Sequence, residues 1–287
     1  MTPESAADFT VMGVVNVTPD SFSDGGLYID AGAAIDHGLE LEAEGAGILD
    51  IGGESTRPGA QPVASVAELD RVLPVIEGLR ERGAAAQISI DTSKAAVAGA
   101  ALDAGAALVN DVTALRGDPA MAELVAGRGV QCCLMHMLGE PRTMQDDPRY
   151  EDVVSDVKAF LEERLAFAVA SGIAEERILL DPGIGFGKTA AHNLELLARL
   201  DELAAIGRPL VIGTSRKSFL GRITGRSVDE RLAATIATNV LAYERGARVF
   251  RVHDVAPVRD ALVIAGATVR RRWPRTPTTS TTRTLTT

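Results

Sequence analysis

The sequence predicts a single (β/α)8 TIM barrel, an α/β fold in which eight parallel strands lie inside an outer ring of helices. Three observations predict it. Eight apolar, β-rich runs alternate with segments of helical periodicity, which is typical of parallel strands joined by helical crossovers. The chain has 287 residues, a length at which such barrels form one domain. It is 46% apolar but only 4% aromatic, and a core of Ala, Val, Leu and Ile suits the layered interior of a parallel sheet.

The positions of the elements follow from these runs in chain order. The strands are expected to begin near Val11, Gly47, Gln87, Ala107, Gln131, Arg177, Pro209 and Arg248. The helices are expected at 31–45, 66–82, 94–103, 118–128, 151–171, 189–206, 228–245 and 256–270. Asp118 before Pro119 predicts an N-cap followed by proline at N1, and Ser227 with Glu230 predicts a capping box. Pro74 lies inside the second helix, where proline favours a bend or a break, but we expect helix there.

The predicted barrel domain runs from residue 10 to residue 270, after an N-terminal extension at 1–9. No domain linker is visible before the end of the chain. Residues 271–287 are predicted to be a disordered tail, because a Thr-rich run with Arg and Pro cannot bury a core.

Charge and hydropathy exclude several classes of partner. A formal net charge of −10 argues against nucleic acid or an anionic membrane as the partner. No apolar run approaches the length of a membrane span, and the first fifteen residues include acids but no basic leader before an apolar segment. We therefore expect a soluble, cytoplasmic protein.

The two cysteines indicate core positions and no disulfide. Cys132 and Cys133 are neighbours in one apolar run, so their side chains should point to opposite faces of a strand. They form a C-C-x-x-H pattern with His136, but the other histidines lie in other segments. Buried core cysteines are therefore favoured over zinc ligands.

Charged or amide residues end many of the apolar runs, just before a Gly, Pro, Ser or Thr turn. Examples are Asn16, Asp91, Asn110, Asp181 and His253. Such a group costs on the order of a few kcal/mol at the end of an apolar strand unless something pairs with it. In a barrel these ends meet on the carboxyl face, so the pattern predicts one shared ligand site.

Two loops on that face are long and rich in Gly, Pro and Ser. They are Thr18 to Gly26 after the first strand and Gly52 to Gly59 after the second. Little in either loop would fix it in place, so both are predicted to be mobile lids.

The candidate site residues fall into two chemical sets. Carboxylates and an amide match the N–H donors of an aminopyrimidinone ring, and this set is Asp91, Asn110 and Asp181. Donors and positive charge match a phosphate or pyrophosphate, and this set is Asn16, Arg57, Lys217, Arg251 and His253. A ligand with a heterocycle at one end and an oligophosphate at the other fits both sets.

Each residue also has a purely structural interpretation. Asp91 could cap the next helix, Asp181 could belong to a turn with Pro182 and Gly183, and Lys217 could be a surface cation. Arg251 and His253 are two apart on one strand, where two cations should repel unless an anion lies between them. Their joint placement on one rim favours the ligand site.

Known nucleotide motifs do not match. A P-loop reading of Gly187-Lys188-Thr189 would require glycine at Pro182, and a dinucleotide fingerprint would require glycine at Lys188. The glycine run is expected to let backbone approach a flat ligand, with Phe186 as a stacking or packing group. No H-E-x-x-H motif and no nucleophile elbow occur in the sequence.

Seven segments closely resemble dihydropteroate synthase of the folate pathway. They are Met12 to Gly26, Gly53 to Gly59, Ile90 to Lys94, Leu134 to Met137, Asp181 to Lys188, Ser215 to Ser218 and Arg251 to Asp254. The likeness covers roughly Val11 to Thr268 in the order of the family, and no departure occurs at the site positions.

The resemblance implies a transferase that joins 6-hydroxymethyl-7,8-dihydropterin pyrophosphate to 4-aminobenzoate, with magnesium, and a dissociative displacement. By matching motif, the pterin is held by Asp91, Asn110 and Asp181, with Met135 packing against it and Lys217 at its edge. The metal is bound by Asn16, and the pyrophosphate by Thr56, Arg57, Arg251 and His253. The aminobenzoate pocket is bordered by Phe22, Pro58, Phe186, Lys217 and Ser218, while Asp24 and Arg57 help the loops close. The catalytic residues are then Asp91, Lys217, Arg251 and His253.

Two alternatives remain open at this point. A methyltetrahydrofolate-dependent methyltransferase shares the barrel and the pterin pocket but has no use for a pyrophosphate site. A synthase-like barrel could also serve only as a scaffold or binding partner. The resemblance further suggests a homodimer through the outer helices and a response to sulfonamides, which imitate aminobenzoate; the sequence does not decide between a drug-sensitive and a drug-tolerant enzyme.

Overall fold

The structure is a computed structural model that describes residues 8–18, 31–56 and 59–270. Its eight strands form one parallel sheet. They are β1 (Thr10–Asn16), β2 (Ile48–Gly52), β3 (Gln87–Asp91), β4 (Leu108–Asp111), β5 (Gln131–Met135), β6 (Ile178–Asp181), β7 (Val211–Ile212) and β8 (Val249–Val252). Each strand begins within two residues of its predicted start. The order in the sheet is β6-β5-β4-β3-β2-β1-β8-β7.

The sheet closes between its two edge strands. A parallel bridge joins Leu180 of β6 to Leu210, just before β7. Leu180 N donates to Pro209 O at 3.0 Å in the same region. The predicted barrel is therefore confirmed, with β7 as its shortest strand.

Helices surround the strands in the order expected of a barrel. They are α1 (Ala31–Ala43), α2 (Ser65–Glu81), α3 (Ala95–Asp103), α4 (Met121–Arg128), α5 (Val153–Ala170), α6 (Ala190–Ala198), α7 (Leu200–Ala204), α8 (Ser218–Thr224), α9 (Leu232–Glu244) and α10 (Val255–Arg270). The helix predicted at 189–206 is divided at Arg199, and α8 is an additional short helix in the loop after β7. In the described ranges, no helix is long and apolar enough to span a membrane.

The capping and proline signals in the sequence predicted some helix boundaries correctly and others not. The capping box of Ser227 and Glu230 is present, but it begins a 3-10 turn at Val228–Glu230 that precedes α9. Helix α2 continues through Pro74. The N-cap predicted at Asp118 is wrong, because α4 begins at Met121 after Ala120. The Asp118 carboxylate instead accepts from Ala120 N and from Ala95 N, the first residue of α3.

Strand alternation sorts the apolar residues into two layers. One layer fills the barrel interior with a side chain from each of seven strands: Met12, Ile48, Leu108, Cys133, Leu179, Val211 and Val249. The larger layer lies between strands and helices and includes Val15, Leu49, Ile90, Cys132 and Leu180. Cys132 and Cys133 are both buried and free, on opposite faces of β5 as predicted. Among the residues described, no group of His, Cys, Asp and Glu side chains could hold a metal ion.

We predict that Leu49→Ala destabilises the fold by about 2–5 kcal/mol, because Leu49 is fully buried between β2 and the helices and its truncation leaves a cavity. Urea denaturation measures this change. Val66→Ala is the control, since Val66 on α2 is 70% exposed. A loss for Leu49→Ala no larger than that of the control would contradict the two-layer packing.

Candidate active site

A polar layer lies on top of the apolar interior, at the carboxyl ends of the strands. The register aligns Asn16 with Gly52, Gly52 with Asp91, and Asp91 with Asn110. Farther around the barrel, Asp181 on β6 is aligned with Met135 on β5. Strand alternation thus turns the predicted polar ends toward one mouth of the barrel.

Arg251 crosses this mouth and binds two carboxylates. Its Nε donates to Asp50 Oδ2 at 2.6 Å, and its Nη2 donates to Asp91 Oδ2 at 2.7 Å. The anion that Arg251 requires is therefore supplied by the protein itself, and the expected repulsion with His253 needs no ligand to relieve it. The acidic and basic sets are in direct contact and not on separate walls.

The carboxyl of Asp91 has a raised pKa. Burial raises its pKa from 3.8 to about 7, while the guanidinium of Arg251 opposes that shift. Asp50 adds to the shift through its own negative charge. One cation shared by two buried carboxylates thus leaves Asp91 poised between its charged and neutral forms near neutral pH.

Asp181 is held by the loop that follows β6. Its Oδ1 accepts from Gly183 N at 2.7 Å. Burial raises the pKa of this carboxyl, and the nearby cation of Lys217 is the largest opposing influence. Asp181 therefore faces the mouth with its orientation fixed by backbone.

Lys217 lies across the mouth from the strands that carry Asp50 and Asp91. Its Nζ donates to Ile184 O and is 4.7 Å from the centroid of the Phe186 ring. Burial lowers the pKa of this lysine to about 8, although the charge of Asp181 favours the protonated form. Its ammonium is thus held against an aromatic face beside Asp181.

The loop after β8 is tied to the loop after β7. His253 Nδ1 is 3.0 Å from Ser215 Oγ, and that hydroxyl also accepts from His253 N at 3.2 Å. Arg216, with a φ of 57°, binds the Asp254 carboxylate through two nitrogens. These contacts set Lys217 and His253 in a fixed relation to each other.

A small apolar cluster flanks the mouth beside β5 and β6. It consists of Val112, Met135, Met137 and Met144, with Phe186 packed against it. Met135 and Phe186, both predicted site residues, are therefore part of the same apolar surface. Flexible thioether side chains next to an aromatic ring give a surface on which a flat ligand can pack.

The remaining predicted residues lie at the ends of elements, in loops or outside the described residues. Asn16 ends β1 and is partly buried, Ser218 begins α8, and Thr56 lies in the loop after β2. Four predicted site residues lie outside the described residues: Phe22, Asp24, Arg57 and Pro58. The tail at 271–287 and most of the loop from Thr18 to Gly26 also lie outside them.

The loop after β2 has a fixed base, contrary to the expectation that little holds it in place. Glu54 Oε1 accepts from Val63 N at 2.8 Å, which closes the loop on itself. Glu54 Oε2 also accepts from Lys94 Nζ at 2.5 Å, and Lys94 follows β3. The described base of this loop is therefore tied both to itself and to the segment that follows β3.

Asn16 is compatible with the expected magnesium ion. Magnesium prefers hard oxygen ligands, keeps several waters and needs only one or two protein ligands when a phosphate also binds it. The amide of Asn16 offers such an oxygen at the mouth of the barrel. A single amide oxygen fits such an ion when a phosphate-bearing ligand and waters supply the remaining ligands.

Comparison with known proteins connects this geometry to a family. A family model described as "Pterin binding enzyme" matches residues 12–253. A dihydropteroate synthase of Escherichia coli (strain K12) is 45% identical over 259 residues, which are 90% of this chain and 91% of that protein. The chain belongs to the dihydropteroate synthase family. The resemblance inferred from the motifs is confirmed.

Solved structures of dihydropteroate synthases agree with this assignment. The Yersinia pestis protein, in complex with a sulfonamide drug, has a TM-score of 0.86 and 46% identity, covering 91% of this chain and 94% of that one. The Xanthomonas albilineans protein with 4-aminobenzoic acid has a TM-score of 0.85 and 50% identity, covering 91% of this chain and 93% of that one.

Asp50 is absent from the predicted site, although it organises the mouth of this dihydropteroate synthase family member. It is fully buried, and its carboxylate accepts from Ser89 Oγ at 2.6 Å and from Asn110 Nδ2 at 3.0 Å as well as from Arg251. The pattern of polar strand ends does not include Asp50, because Asp50 lies two residues before the end of β2. A lone carboxylate within Ile48-Leu49-Asp50-Ile51 was the available signal.

We predict that Asp91 makes the stability of this dihydropteroate synthase family member fall as the pH rises. Its folded pKa of about 7 exceeds its ordinary value of 3.8, so proton binding stabilises the native state at low pH. That contribution is lost between these two pKa values and is absent from Asp91→Asn. The difference in free energy of unfolding, wild type minus variant, should therefore decrease as the pH rises toward 7. Urea denaturation across this range measures it, and a pH-independent difference would show that the pKa of Asp91 is not raised.

Proposed function

We propose that the chain joins (7,8-dihydropterin-6-yl)methyl diphosphate to 4-aminobenzoate and releases 7,8-dihydropteroate and diphosphate. One observation carries the proposal: Asp91, Asn110 and Asp181 share a single barrel mouth with Lys217 and Arg251. The match to a dihydropteroate synthase over nine-tenths of the chain supports it.

The acidic part of the mouth is proposed to bind the pterin ring. A carboxylate accepts two adjacent N–H groups, as the amino group and ring nitrogen of a pterin provide, and we assign this role to Asp181. Asn110 would present its amide oxygen, because its amide nitrogen already donates to Asp50. Met135 and Phe186 would pack against the ring.

The cationic part is proposed to receive the leaving diphosphate. Arg251 lies on β8, and His253 lies just after the end of this strand. Thr56 and Arg57 would close over the diphosphate from the loop after β2. Magnesium held by Asn16 and the diphosphate would offset part of the charge of the leaving group.

The proposed reaction is a dissociative displacement. The C–O bond to diphosphate breaks first, and the pterin ring delocalises the positive charge of its methylene group. The carboxylates of Asp91 and Asp181 stabilise that charge. The amine of 4-aminobenzoate then attacks the methylene carbon and loses a proton. Phe22, Pro58, Phe186, Lys217 and Ser218 are proposed to border this second substrate.

Arg251→Ala should reduce turnover by about a hundredfold to a thousandfold, because it removes a preorganised cation from a departing anion. Steady-state kinetics with both substrates measure the effect. Arg208→Ala is the control, since Arg208 lies before β7 at the opposite end of the barrel. An Arg251 variant that is folded and turns over like the control would contradict the assigned role.

Asp181→Asn should abolish measurable pterin binding, because an amide cannot accept two adjacent N–H groups as a carboxylate does. Calorimetry with a 7,8-dihydropterin ligand measures this directly. Undiminished affinity in a folded Asp181→Asn protein would count against the assigned orientation of the pterin.

The function is tested with purified protein, both substrates and detection of both products. Dihydropteroate and diphosphate should form together, faster with magnesium, and a sulfonamide should compete with 4-aminobenzoate. A methyltetrahydrofolate-dependent methyltransferase would release no diphosphate, and a scaffold would turn over neither substrate. Either result would overturn the proposal.

We also propose that the protein is cytoplasmic and forms a homodimer through its outer helices. Leu232 and Leu241 on α9 are 37% and 43% exposed, so this helix carries apolar surface that does not pack against the barrel. Sedimentation equilibrium measures the mass in solution.

A further inference from the structure

Lys188 is the lysine of the glycine run, and it does not face a phosphate. Its side chain is buried, with 3% of the residue exposed. Its Nζ lies 2.9 Å from His136 Nδ1 and donates to Gly183 O and Phe186 O, each at 3.0 Å. Three acceptors thus match the three donors of an ammonium. The loop wraps the cation with its own carbonyl groups.

The glycine loop (Gly183 to Lys188) is pressed against the segment that follows β5. A Cβ at Gly183, where φ is 65°, would lie 1.8 Å from His136 O. A Cβ at Gly187, where φ is 63°, would lie 2.6 Å from Leu138 O. Side chains are therefore excluded on steric as well as conformational grounds. These contacts restrict the backbone conformation of the loop, and the Lys188 side chain is enclosed by it.

The same loop makes direct contacts with two residues of the candidate active site. Gly183 N donates to Asp181 Oδ1, and Ile184 O accepts from Lys217 Nζ. The ring of Phe186 lies under the Lys217 ammonium. A shift of the loop would therefore move the acceptor assigned to the pterin and the cation beside it together.

Charge links Lys188 to Asp181 as well. The ammonium of Lys188 favours the ionised form of Asp181 and so lowers its pKa, as do the cations of Lys217 and Arg251 that face the same carboxyl. Burial lowers the pKa of Lys188, and Asp181 opposes that change. The pKa of His136 is lowered to about 2 by burial and by Lys188 and Arg116, so its ring stays neutral and can accept from the ammonium.

We propose that Lys188 is a positioning residue for the condensation: held by His136, it fixes the glycine loop from inside and keeps Asp181 oriented without touching substrate. This inference rests on the proposed function for its role in catalysis. Its structural part, that Lys188 holds the loop, stands on the contacts alone.

The test compares Lys188→Met with Lys158→Met in the full-length protein. Methionine has a similar length but donates no hydrogen bond, and Lys158 lies on α5, away from the mouth. Hydrogen exchange of residues 183–189, which needs no ligand, should be faster in Lys188→Met than in either the wild type or the control. Affinity for a 7,8-dihydropterin ligand should fall roughly tenfold to a hundredfold, as expected when a binding group is displaced.

The pH dependence provides a readout that loss of packing alone would not give. Without the ammonium of Lys188 the pKa of Asp181 rises, so Asp181 is protonated at a higher pH. As the pH falls, pterin binding should therefore begin to weaken at a higher pH in Lys188→Met than in the wild type. Should Lys188→Met fail to fold, His136→Phe removes the acceptor while keeping an aromatic ring, and the same faster exchange of the loop is expected.

The outcomes separate this inference from the proposed function. If the wild type catalyses condensation but Lys188→Met keeps its loop exchange, pterin affinity and pH profile, the role of Lys188 is wrong. If exchange of the loop rises while the wild type shows no condensation, the positioning stands and the proposed function fails. Loss of diphosphate affinity in Lys188→Met, with unchanged pterin affinity, would also overturn the positioning role of Lys188, because Lys188 would then bind phosphate as in a P-loop.

Discussion

The mouth of the barrel depends on one guanidinium placed between two buried carboxylates. Asp50 is fully buried inside a parallel barrel, where an unpaired charge is costly, and Arg251 reaches it from β8 while also binding Asp91. Ser89 and Asn110 complete the hydrogen bonds of the Asp50 carboxylate. Because β8, β1, β2 and β3 are consecutive in the sheet, this contact bridges four neighbouring strands.

In the second half of the mouth, backbone and side chains of the loops orient the site residues. Asp181 and Lys217 are oriented by backbone groups of the glycine loop, and His253 by Ser215. A site of this kind can combine rigid acceptors for a flat heterocycle with cations that meet the leaving group. The two halves differ in chemistry, and Arg251 joins them, since it touches the acidic residues while belonging to the set proposed for the diphosphate.

Much of this architecture could be predicted because strand periodicity and turn residues are local signals. The strand starts followed from the apolar runs, the opposite faces of Cys132 and Cys133 followed from strand alternation, and the polar strand ends lie at one mouth. Asp50 could not be found by considering strand ends, since its importance comes from partners on β3, β4 and β8. Helix α8 has only seven residues, too few for a periodic pattern, and Asp118 caps a neighbouring helix in place of its own. Lys188 shows the same limit, because a sequence motif does not tell which side of its loop a lysine occupies.

A double-mutant cycle between Asp50 and Arg251 tests the central contact most directly. The free energies of unfolding of Asp50→Asn, Arg251→Met and the double variant are measured by urea denaturation at one pH. Residues that share a buried ion pair should show a coupling energy of about 0.5–3 kcal/mol, with the double variant less destabilised than the sum of the single variants. Additive effects would mean that Asp50 and Arg251 act independently, and the mouth would then not depend on their contact.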